Sequence, residues 1–186
     1  MLIGIVAAVV FALLAAAGVA WWLLRDQSPL AGRPRVTDKT AGVSYGIPEG
    51  WKHQKGDLAS PFTSAIVKQP SDGEVEKSTV IAGRGDGVPE SELKETTELA
   101  ARSNAEFFAP NGSSKLKESK SATVDGRAGH STTVEMADGE GAKLYMRITV
   151  VSMGDSRSVF LLGFFPQLGT PEESDVDAVV ASASFK

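Results

Sequence analysis

From Lys115 to Phe165 the chain is written in the period of a β-meander, and that stretch limits the folds open to it. "KLKESKSATV" (115–124) and "RAGHSTTVEM" (127–136) flank Asp125-Gly126, a pair that favours the two-residue turn of a β-hairpin because both residues accept positive φ. "ADGEGA" leads into "KLYMRITVV" (143–151), where Leu144, Met146, Ile148 and Val150 share one face. "MGDS" then turns the chain into "RSVFLLGFF" (157–165), apolar on both faces, which predicts a central strand. Upstream, "TSAIVKQ" and "KSTVIAG" read as two strands around "PSDGEVE". Val43, Tyr45 and Ile47 alternate as a first strand, and Pro48-Glu49-Gly50 turns the chain before Trp51.

Two helices interrupt the strands. The first follows Pro89 through "ESELKETTELAARSNAEFF", with Leu93, Thr97, Ala100, Asn104 and Phe107 as its expected inner stripe and acids early, where the helix dipole favours them. The second opens at Thr170-Pro171-Glu172-Glu173, a capping box with proline at the first helical position, and turns Val176, Val179, Val180 and Ala183 inward. The expected fold is α+β, an antiparallel sheet of about six strands with two packed helices, preceded by one transmembrane helix.

That transmembrane helix is read from residues 1–24, which carry no charged side chain. From Leu2 to Leu24 the run is about 35 Å long as a helix, enough to cross a hydrocarbon core of about 30 Å. Trp21 and Trp22 suit the headgroup boundary and Arg25 closes the span. A cleaved signal peptide competes through "AGVA" ending at Ala20, but a basic leader is missing and the apolar run continues past it, so an uncleaved anchor is expected. Residues 25–41 read as a flexible linker, with Pro29 and Pro34 blocking a helix, and 42–186 as the domain. Arg25, Arg33, Arg35 and Lys39 all follow the span, which by the positive-inside rule alone would put the body in the cytoplasm. A start upstream of Met1 with basic residues would remove that argument.

Composition excludes several functions. In residues 41–186, 15 Lys and Arg stand against 21 Asp and Glu, a net of −6, so the domain repels phosphate backbones and no nucleic-acid partner is expected. The chain has no cysteine, which removes disulfides, thiol chemistry and an acylated-cysteine anchor. His53 and His130 are its two histidines, too few without cysteine for a protein zinc site, so no metal is expected. His130 lies on the strand face of Ala128, Thr132, Val134 and Met136 and reads as a hydrogen-bonded structural residue. No nucleophile elbow, P-loop or dinucleotide fingerprint occurs, and "SDGEVE" and "ADGEGA" do not match an EF-hand loop. Neither a catalytic residue nor a cofactor is expected. Arg84-Gly85-Asp86, within "GRGDG", spells an adhesion tripeptide between a strand and a helix, a candidate recognition loop whose glycines equally suit a plain connector.

"VSYGIPEGW" (43–51), "VDGRAG" (124–129) and the closing "ASASFK" (181–186), with the order of elements, resemble the PsbP-like fold. That group takes in the photosystem II extrinsic subunit, a Ran-binding nuclear transport factor and LpqN-type envelope lipoproteins of actinobacteria. The resemblance implies a non-enzymatic binding scaffold, often membrane-associated, with the body outside the cytoplasm and no catalytic residues to carry over. The chain departs from the LpqN pattern in having an apolar span where a lipidated cysteine would stand. The resulting expectation is a single-pass binding or scaffolding module of the cell envelope. It meets the bilayer through its N-terminal helix and a protein partner through its body, with oligomeric state left open. The alternative is carriage of a lipid or other small apolar ligand, which would require a pocket among Phe107, Phe160, Phe164 and the sheet. In either case Tyr45 and Trp51 are expected to be structural, Trp51 plugging the core at the end of a sheet.

Overall fold

The computed structural model describes residues 28–56, 58–68, 78–154 and 156–186, and the anchor read from Leu2, Trp21, Trp22, Leu24 and Arg25 lies outside them. Among the described residues, no helix is long and apolar enough to cross a membrane. The strands are β1 (Arg35–Asp38), β2 (Val43–Gly46), β3 (Trp51–Gln54), β4 (Phe62–Lys68), β5 (Thr79–Gly85), β6 (Ser113–Val124), β7 (Arg127–Ala137), β8 (Lys143–Ser152), β9 (Ser158–Phe165) and β10 (Ser184–Phe185). A 3-10 turn at Glu90–Glu92 leads into helix α1 (Leu93–Phe108), and helix α2 is Pro171–Ala181. Seven strands pair antiparallel in the order β3-β4-β5-β9-β8-β7-β6, and a second sheet has the order β1-β2-β10.

The meander forms as its pattern dictates. Val124 pairs with Arg127 across a turn in which Asp125 (φ 50°) and Gly126 (φ 73°) are both left-handed. β9 is the middle strand of the seven. Val159, Leu161 and Phe165 join the core on one face, while Leu162 and Phe164 join the core on the other. α1 packs on the second face over Val134, Met136, Met146 and Ile148. α2 and the small sheet cover the first, with Val176 and Val179 against the core that holds Tyr45, Ile66 and Val80. α2 rides close over Gly163, where an added Cβ would stand 2.4 Å from Val176 Cγ1.

Three expectations are corrected. The linker does not extend to residue 41: Leu30 is 8% exposed and packs on Gly46, Arg35–Asp38 pair as β1, and Ala41 is buried. Pro29 and Pro34 forbid a helix but not an edge strand, and Pro34 uses its carbonyl to accept the Ile47 N–H at 2.8 Å. The strand at Val43 belongs to the small sheet, so the main sheet has seven strands without it and begins at Trp51. The buried stripe of α1 is Leu93, Thr97, Ala101 and Ala105, with Phe107 73% exposed. Alanines at 101 and 105 let the helix lie close to the sheet, and that approach outweighs the burial a phenylalanine two positions further round would gain.

A buried carboxylate ties the two sheets together. Asp38 Oδ1 accepts the N–H groups of Thr40 (3.0 Å) and Ala41 (2.9 Å). Its Oδ2 accepts the hydroxyls of Thr63 (2.5 Å) and Ser64 (2.7 Å), and Ser64 Oγ is 2.9 Å from the Tyr45 hydroxyl. Burial alone would raise the Asp38 carboxyl, but the donors led by Thr63 together outweigh it and hold it below the ordinary value.

Candidate functional site

α1 lies over β7 and β8, and among the described residues no helix covers the same sheet face beyond it, on β9, β5 and β4. The result is a groove of about 590 Å³, within the range of roughly 300–1,000 Å³ usual for small-molecule sites. Its floor is Ile148 and Val150 of β8 and Phe160 of β9, continued by Phe62 of β4. One wall is Glu92, at the N-cap of α1, and a flank of the helix itself, where Thr96, Ala100, Asn104 and Phe107 follow each other at helical spacing. The opposite rim is Ser60-Pro61 and the segment Gly85–Val88.

The groove is open because of what lies beneath it. Phe160 lies over Gly83, where an added Cβ would stand 2.4 Å from its Cζ, and meets Phe62 edge-to-face at 6.0 Å. With its ring laid over Gly83 toward Phe62, Phe160 leaves space beside α1. The rim segment is pinned, since Val88 is buried and its carbonyl accepts the Ser152 hydroxyl at 2.7 Å. The Asn104 amide donates to Ala100 O at 2.8 Å, so it lies along its own helix. A second cavity, about 470 Å³, opens beyond the end of α1 among Ile81, Phe108, Met136, Leu144 and Phe164. Phe108 stacks edge-on to both Phe107 (5.1 Å) and Phe164 (4.8 Å). Of the three phenylalanines read from the sequence for a carrier pocket, Phe107 and Phe160 line the first cavity and Phe164 the second.

The other sequence-derived sites fall elsewhere. Arg84 and Gly85 are the last two residues of β5, paired with Val159 and Ser158, and so form no free loop tip; Asp86 stands at the groove mouth. Trp51 is 5% exposed and its indole N–H donates to Asp175 of α2 at 2.8 Å. Tyr45 is fully buried, which pushes its hydroxyl up to about 12. His130 is buried beneath α1, with Nε2 2.8 Å from Ser119 Oγ. Ser119 gives its proton to Glu98 at 2.6 Å, so in this arrangement its oxygen accepts from the imidazole. That is the reverse of a serine activated by a histidine base. The Ser119 bond holds Glu98 below the usual carboxylate range, while burial lowers His130 against the pull of Glu98. Among the described residues, no group of three or more His, Cys, Asp or Glu is placed to hold a metal ion.

One strong ionic cluster is structural. Arg147, 4% exposed on β8, meets Glu173 (2.5 Å) and Asp177 of α2, donates to Thr133 Oγ1 (2.8 Å), and lies 5.4 Å from the Phe165 ring centroid. Burial opposes its charge, but Asp177 and Glu173 outweigh that and raise its pKa. The cluster clamps α2 on the face of the sheet opposite the groove. Sequence reasoning missed the helical wall Thr96, Ala100 and Asn104 and the floor residue Phe62. Ala100 and Asn104 read as core positions, and only the shift of the α1 stripe turns them outward.

No family model matches the chain, and no curated protein does. Solved structures do. The cyanobacterial PsbP (CyanoP) of Synechocystis superposes with a TM-score of 0.61 at 12% identity, covering 82% of this chain and 92% of that one. LpqN, involved in cell envelope biogenesis of Mycobacterium tuberculosis, superposes at 0.58 with 14% identity, covering 77% of this chain and 83% of that one. At such identities the likeness shows the fold, which is PsbP-like.

Proposed function

We propose that this PsbP-like domain is a non-catalytic binding module that takes an apolar ligand into the groove between α1 and the sheet. The observation that carries the reading is the groove itself, an aliphatic and aromatic floor beside a helix flank that turns Ala100 and Phe107 toward it. Residues 1–24 would hold the module at a membrane of the cell envelope, with the body on the extracytoplasmic side. The likeness to LpqN, described as involved in cell envelope biogenesis, supports that setting. The test is native mass spectrometry of the full chain, released from the membranes of cells that express it, beside an Ala100→Trp variant whose indole fills the groove. A co-purifying apolar species present on the wild type and lost from the variant is the expected result. Equal occupancy of the two, or none on either, would defeat the reading.

A second reading, docking of a protein partner, draws on the exposed Leu99 (63%), Phe107 (73%) and Leu116 (44%). Crosslinking in cells from residues 83–88 tests it, and no partner above background would leave it without support. Protease treatment of intact cells tests the topology: a body that survives uncut would overturn the extracytoplasmic placement.

A further inference from the structure

The groove has an electrical sign as well as a shape. Its floor is apolar, yet among the described residues that line it two carry carboxylates, Asp86 and Glu92, and none is Lys, Arg or His. The nearest cations in sequence point elsewhere. Arg84 precedes Gly85, a lining residue, so strand alternation sends its side chain to the opposite face; its register partner Val159 belongs to the α2-side core. Lys94 is two residues from Glu92, about 200° round the helix, and it acts on Glu98 and His130 at the other flank of α1. Thr96, Ser60 and Ser158 add hydroxyls, which are neutral at either end of a ligand.

We propose that the groove selects an amphiphile whose apolar chain lies on the Ile148–Val150–Phe160 floor and whose head is a cationic amine held by Asp86 and Glu92. This rests on the groove being a ligand site. Two exposed carboxylates attract a cationic head and repel an anionic one of the same chain length. At low ionic strength the two effects together separate the pair by about tenfold in affinity, and salt narrows the gap.

The test uses the full chain in nanodiscs of phosphatidylcholine, which carries no net charge. Three diazirine probes of equal chain length are compared: a dodecylammonium, a dodecanol and a dodecanoate. After irradiation, adducts on peptides containing Phe62, Phe107 and Phe160 are quantified by mass spectrometry relative to probe–lipid adducts. The expected order is ammonium over alcohol over carboxylate, with about a tenfold span between the extremes. Asp86→Asn with Glu92→Gln should collapse that span, and Asp86→Lys with Glu92→Lys should invert it. Groove labelling by all three probes at equal yield, or a span unchanged in the neutralised variant, overturns charge selection while leaving the groove as a ligand site. Absence of groove adducts from every probe overturns the ligand site itself.

Discussion

Replacing Asp38 tests whether the two sheets are held together by hydrogen bonding to one buried anion. Its carboxylate accepts four donors, two from backbone and two from hydroxyls. In Asp38→Ala the hydroxyls keep second partners, since Thr63 Oγ1 also reaches Ala82 O at 3.3 Å and Ser64 contacts Tyr45. The Thr40 N–H can turn to water, but Ala41 is fully buried and its N–H is stranded. One stranded buried donor at about 1–3 kcal/mol and three weakened bonds at a few tenths each give a loss of about 3 kcal/mol. Asp38→Asn keeps the oxygen facing Ala41, and the hydroxyls can rotate to accept from its amide, so about 1 kcal/mol is expected. The pH dependence fixes the mechanism. A carboxyl held below its ordinary value contributes stability that is complete above about pH 4 and is lost as pH falls through the depressed folded value. The gap between wild type and Asp38→Asn should therefore close on acidification below pH 4. Urea unfolding followed by circular dichroism at pH 7 and pH 3 measures both quantities. A loss under about 1 kcal/mol for Asp38→Ala, or a wild-type-to-Asn gap unaltered between the two pH values, would refute the anion's role.

Three further outcomes follow from the packing. Arg147→Met should cost about 2–3 kcal/mol in urea unfolding, because Glu173 and Asp177 then face each other without a cation; Asp177 is exposed enough to turn to water, which keeps the loss below the usual figure for a fully buried pair. Gly163→Ala should cost about 1–3 kcal/mol from the clash with Val176, and adding Val176→Ala should recover part of it in a double-mutant cycle. Burial depresses His130, so the unfolded chain takes up its proton first as pH falls below about 6.5. Stability should therefore drop between pH 7.5 and 5.5, and His130→Gln, still facing Ser119, Glu98 and Lys94, should flatten that slope.

The meander was legible because its signals are local. Period-two alternation and the Asp125-Gly126 turn need no knowledge of the partner strand, and "FLLGFF" is apolar on both faces because β9 is covered on both. The small sheet was legible only at β2, where Val43 and Tyr45 alternate. β1 and β10 are four and two residues long, too short to show a period, and β10 exists because β2 is there to pair with it. The groove was half legible. Phe107 and Phe160 were named from hydrophobicity, but the space between them depends on Gly83 lying beneath Phe160. That is a contact across strands, which spacing along the chain does not encode. The sixteen-residue helix α1 was misjudged for the same reason: its contact stripe follows how closely alanines let it approach the sheet, and not which residues are most apolar.

The burial of Leu30 and the pairing of β1 shorten a distance. If residues 1–24 span a bilayer, five residues separate the span from Leu30, the first residue packed into the core, and at full extension they reach at most about 18 Å. A seventeen-residue linker would have reached nearly 60 Å. The domain would then stay within that reach of the headgroups. Its leash attaches where Leu30 joins the α2-side core, on the face of the main sheet opposite the groove. A ligand exchanged at this groove would enter and leave on the side that the attachment leaves clear.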